Sequence, residues 1–111
     1  MIEIVILNYL SDRLDVPVRM EIPADPPARY VVLKRSGRGR ENGLHAANLI
    51  ADSYAESQAE AAALNERVKA ALDELEMLDE ISSAELASDY PVTDTGNKKH
   101  RYQAVYEIYH Y

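Results

Sequence analysis

Three histidines, His45, His100 and His110, are the residues of this chain best suited to metal or general-base chemistry, and they are scattered. None stands four residues from another ligand on one helical face, the spacing by which a helix holds a zinc ion. Asp73, Glu74, Glu76, Asp79 and Glu80 offer carboxylates in a row. They lack the central glycine and alternating oxygen ligands of a calcium loop. Gly37-Arg38-Gly39 lacks the Gly-Lys-Ser/Thr end of a phosphate loop. Zero cysteines exclude a thiolate nucleophile, a thiolate metal site and a disulfide framework together. Serine, histidine and aspartate all occur, but nothing in their placement assembles a triad. The chain is therefore expected to be no enzyme, with no metal and no cofactor.

Charge is the feature that exceeds the ordinary. Nineteen acids and twelve bases give a net charge of −7. Yet Arg29, Lys34, Arg35, Arg38 and Arg40 lie close together without one intervening acid, and Lys98, Lys99 and Arg101 form a later basic group. Between them, 56–80 is acidic, with Arg67 and Lys69 as its bases. Five bases in an acidic protein suit an acidic protein surface or nucleic acid. Lys34, Arg35, Arg38 and Arg40 are thus the candidate interaction residues. Asp73, Glu74 and Glu76 are candidates to receive them from a neighbouring copy. Acids at a helix C-terminus are each disfavoured by about 0.3–1 kcal/mol, a hint that a base approaches there.

The elements that position these residues follow from periodicity and punctuation. Ile2–Leu14 mixes a β-branched run with spacings of three and four, and is taken as a helix. Val18–Ile22 reads as a short extended piece before a loop stiffened by Pro23, Pro26 and Pro27. Tyr30–Arg35 is a β-branched strand. Ser36–Gly43, with three of the chain's four glycines, is expected to be a mobile loop that carries Arg38 and Arg40 to a partner. Leu44–Tyr54 fits a strand or a helix, and Ser57-Gln-Ala-Glu60 decides for the strand because it has the form of a capping box. Gln58–Leu78 is then one helix, with Ala61, Leu64, Val68, Ala71, Leu75 and Leu78 as its apolar stripe. Ile81–Tyr90 and Arg101–His110 are strands joined across Pro91–Lys99, with Thr95-Gly96-Asn97 at the turn. The order α-β-β-β-α-β-β is an α+β class in which two helices pack on a mainly antiparallel sheet.

At 111 residues and 47% hydrophobic composition, residues 1–111 suffice for one domain with one core. No stretch approaches 18 uncharged apolar residues, so no spanning helix and no membrane partner are expected. Met1–Leu10 contains Glu3 and no basic start, unlike a signal peptide. Lack of cysteine fits a reducing cytoplasm, or a compartment that makes no demand on the chain.

The run LNYLSDRLDVPVRMEIPADPPARYVVLKRSGRG resembles the N-terminal half of tail-completion proteins, the tail terminator or head–tail joining family of long-tailed phages. DSYAESQAEAAALNERVKAALDEL resembles that family's strand-to-helix junction, and SDYPVTDTGNKKHRYQAVYEIYHY its closing hairpin. The resemblance implies a virion protein assembled in the bacterial host cytoplasm. It implies a hexameric ring on the head-proximal end of the tail tube, which ends tube polymerisation and docks the tail to the head. The expected partners are further copies of the chain, the tail tube protein and the head–tail connector or stopper protein. DNA passes through the channel without sequence-specific binding. The alternatives are another neck protein (adaptor or stopper) and a small nucleic-acid-binding domain that sets Arg35, Arg38 and Arg40 on phosphates. The loop bases are left between a neighbouring subunit's helix end, the tube or neck protein, DNA and plain solvent.

Overall fold

Two apolar periodicities, one of three to four residues and one of two, build the molecule from its two helical stripes and its strands. The computed structural model describes residues 2–93 and 99–111. Helix α1 is Ile2–Arg13, strand β1 Val18–Arg19, β2 Tyr30–Glu41, β3 Leu44–Ala55, helix α2 Gln58–Leu72, β4 Ile81–Thr93 and β5 His100–His110. The order is the one read from the sequence, and the class is α+β. The sheet runs β1-β2-β3-β5-β4. Every pairing is antiparallel except β1 with β2, which meet only at Val18–Val31 and Arg19–Val32.

Both helices cover one face. Ile6, Leu10, Leu64, Val68, Leu72 and Leu75 pack on Val31, Leu33, Leu49, Ala51, Ala104, Tyr106 and Ile108 in one buried cluster. Ser57 starts α2 as expected, its hydroxyl accepting from the Glu60 amide at 3.1 Å. Two tyrosines finish the same helix. Tyr9 donates to the Ala71 carbonyl at 2.6 Å, and the Tyr106 hydroxyl lies 3.2 Å from the Lys69 carbonyl. Both carbonyls belong to the last turn, where they also accept the Glu74 and Asp73 amides at 3.2 and 2.8 Å. Phenylalanine in place of Tyr9 would fill the same space but lose this additional bond.

Four boundaries differ from expectation. The extended piece read as Val18–Ile22 pairs only as Val18–Arg19. The glycine-rich segment Ser36–Gly43 is not a loop: β2 continues to Glu41, and the turn is Asn42-Gly43 alone. Both turn residues have positive φ, 53° and 81°, the signature of a type I′ hairpin, which Asn-Gly favours. The extra residue between Gly37 and Gly39 is absorbed as a β-bulge. Helix α2 stops at Leu72, short of Leu78, and a 3-10 turn, Leu75–Met77, follows. That turn keeps Leu75 in the core, so the apolar spacing outlasts the helix. Strand β4 runs on through Pro91 to Thr93. The expected turn Thr95-Gly96-Asn97 and the base Lys98 lie outside the described residues.

Candidate assembly surface

Alternation along β2 splits the basic run. Lys34 pairs in register with Ile50, and Arg35 with Leu49, so their side chains leave opposite faces of the sheet. Arg35 lies on the helix side, where its Nε donates to Glu3 at 3.0 Å. The Glu3 amide at the start of α1, together with Arg35, holds the Glu3 carboxyl below its ordinary range, against the opposite pull of burial. Arg38 is the bulged residue between Gly37 and Gly39, and its side chain lies outside the described residues. Arg40 sits opposite His45, is exposed, and has no ion pair among the described residues. The sequence puts Lys34 and Arg35 at the end of a strand and Arg38 and Arg40 in a mobile loop after it. The structure distributes them along an edge strand.

The acidic candidates are engaged within the chain itself. Asp73 takes the Tyr106 hydroxyl proton at 2.8 Å. Burial, reinforced by this carboxylate, pushes the Tyr106 hydroxyl far above its ordinary pKa. Glu74 pairs with Arg13 at 3.1 Å, and the Arg13 guanidinium also stacks 4.5 Å from the centre of the Tyr9 ring. The base expected at this acidic helix end is therefore the chain's own Arg13. Glu76 accepts from the Ala84 main-chain amide at 3.2 Å, which ties the 3-10 turn to β4.

The face without helices carries a polar centre that nothing in the sequence marked. Asp52 in β3 is fully buried. Its carboxylate accepts from Gln103 at 3.0 Å, and Arg101 and Lys34 approach it at 3.4 and 3.6 Å. Beside it, Tyr30 and Tyr54 stack with ring centres 4.6 Å apart, and Arg101 lies 5.7 Å from the centre of Tyr54. One carboxylate between two cations and an amide is satisfied and fixed. It ties β2, β3 and β5 together.

His45 and His110 stack at 5.1 Å across β3 and β5. With Ile2, Val5, Glu80 and Tyr111 they line an open hollow of about 210 Å³. Among the described residues no group of three or more His, Asp or Glu side chains is arranged to hold a metal ion.

Among the described residues, two stretches of strand edge have no strand beside them. β1 covers β2 at Val31 and Val32, which leaves the outer edge of β2 open from Leu33 to Glu41. At the other end of the sheet β4 is the edge strand, and beyond Ala84 its residues 85–88 are exposed on both faces. Unpaired strand edges are templates for further strands. No protein-family model matches the chain, and no curated protein is significantly similar to it in sequence.

Proposed function

We propose that this chain is a structural virion protein of the tail-terminator kind, acting as a ring on the head-proximal end of a phage tail tube. In this role it ends tube polymerisation and offers the neck of the filled head a docking surface. It works in the virion tail or neck, alongside the tube protein and the connector, with DNA passing through its channel. The observation that carries the reading is the layered fold. Two helices lie on one face of a mainly antiparallel sheet in the order α-β-β-β-α-β-β, the layout implied by the resemblance along the chain. The division of Lys34 and Arg35 between two faces speaks against a continuous phosphate-binding stripe.

Negative-stain microscopy of the purified protein, alone and mixed with tail tubes, tests the proposal. Rings seated at one end of the tubes, and tubes that no longer lengthen when tube protein is added, are the expected result. Tubes that stay bare and keep growing would reject it.

A further inference from the structure

The two open edges of the sheet match each other. The free edge of β2, 33–41, carries Lys34, Arg35, Arg38 and Arg40 against Glu41, whereas the free part of β4, 85–93, carries Glu85 and Asp89 and no base. Lys34, Arg35 and Asp89 already pair within the chain with Asp52, Glu3 and Lys69, so of the described side chains Arg40 and Glu85 are the charges left to meet a partner. Glu85 stands directly opposite Glu107 in β5, a like-charge cross-strand pair that costs stability. Neither acid has an ion pair among the described residues, so a cation brought from outside relieves them. Directions also agree. β2 and β5 run one way and β3 and β4 the other, so β4 beside the β2 of a like-oriented copy is antiparallel.

We infer that β4 of one copy pairs edge to edge with β2 of the next, continuing one sheet from subunit to subunit. Register follows from the bulges. β2 has its extra residue between Gly37 and Gly39, and β4 has one between Leu86 and Ser88. Placing Ser36 opposite Ser88 lets the two bulges compensate, so side chains agree in face on both sides of them. Arg35 then meets Asp89, and Lys34 meets Tyr90. The pairing begins where β1 ends at Val32 and stops where Glu76 occupies the Ala84 amide. Two different patches meet, so the contact is heterologous and closes as a ring or extends as a filament. The inference deepens the ring reading and rests on it only for the number of copies.

The chain's lack of cysteine makes the test direct. Ser36→Cys and Ser88→Cys are near-isosteric, exposed changes. Directly opposed residues of an antiparallel pair lie about 4.5–5.5 Å apart at Cα, within disulfide reach. The oxidised double variant is expected to form a ladder above the dimer on non-reducing gels, while each single variant stops at the dimer. Arg40→Glu and Glu85→Lys, which stand on opposite faces of the joined sheet, should each weaken self-association in light scattering, with unchanged melting temperatures as the folding control. Failure to link in concentrated, folded protein, or higher oligomers indifferent to both charge changes, overturns the edge pairing. The capping assay separates this from the function. Capping without the 36–88 link rejects the edge and keeps the terminator, and a ladder without capping does the reverse.

Discussion

The two faces of the sheet are buried by different physics. On one, helices α1 and α2 supply a layer of leucine, isoleucine and valine, and burial follows from apolar surface leaving water. On the other no helix lies above the strands, yet Tyr30, Val32 and Asp52 are as inaccessible as the core. There the cover comes from neighbours in the sheet itself: a stacked tyrosine pair, and long cationic side chains laid across a carboxylate. The difference teaches that a patch of a face can be buried without a second layer when its cross-strand pairs are large and mutually satisfied, while Ser36 and Glu107 on the same face stay exposed.

The largest expected effect tests the apolar side. Leu64 is 1% exposed in the middle of α2, and Leu64→Ala should cost about 2–5 kcal/mol in urea unfolding, as lost transfer energy plus a cavity. A cost below about 1 kcal/mol would mean the helices contribute little and would erase the contrast. Next comes the polar centre. Asp52→Ala removes the acceptor that Gln103, Arg101 and Lys34 share, and should cost about 1–3 kcal/mol. The figure is moderated because the Lys34 side chain is 51% exposed and returns to water. A loss equal to that of Leu64→Ala would show that the two faces are sealed alike.

Acid sharpens the comparison. Lys69, 2.8 Å from Asp89, holds the Asp89 carboxyl below its ordinary value, and Glu3 is lowered as well. For both, the unfolded chain binds the proton more tightly. Their stabilisation is therefore complete above the ordinary carboxylate range and disappears as pH falls through the lowered values. Urea midpoints should drop on going from pH 7 to pH 3, and Asp89→Asn should flatten that drop. Lys69 is shifted upward by Asp89 and Glu66. Its share persists below the ordinary lysine range and is lost only as pH climbs beyond it. The smallest effect belongs to Ser53, whose buried hydroxyl has no partner among the described residues. Ser53→Ala should change stability by no more than about 0.5 kcal/mol, or raise it slightly. A large loss would reveal a hidden polar network on the helix side.

Much of the fold was legible because it is local. Leu64 and Val68 at helical spacing, Ser57 before Glu60, and the alternation of Ala104, Tyr106 and Ile108 each announce their element within one or two turns of chain. The far half of β2 was not legible, since Ser36-Gly-Arg-Gly-Arg-Glu41 has no apolar alternation. Its strand character comes from register with β3 and from the Asn42-Gly43 turn. The end of α2 was hidden because a 3-10 turn preserves the spacing of three that Leu72 and Leu75 display. Of the surface, the bases and acids were visible but their partners were not. Glu3 meets Arg35, and Arg13 meets Glu74, through contacts that only the completed sheet and helix layer create. Asp52 gave no signal, since one aspartate in a strand carries no mark of its burial.

The position of β5 inside the sheet has a consequence for how the chain acquires its structure. β2 and β3 are joined by two residues and can zip together while the rest of the chain is still being made. The inner edge of β3 waits for residues 100–110, which arrive only after α2 and β4. Until they insert, a nascent chain displays an unpaired strand at what will become its centre, and closure requires a contact between segments far apart in sequence. Such contacts slow folding. A stalled or truncated chain lacking β5 thus exposes this interior seam to other nascent chains, whereas the short strand β1, although its Val18 is in the core, leaves no interior strand unpaired when it is missing.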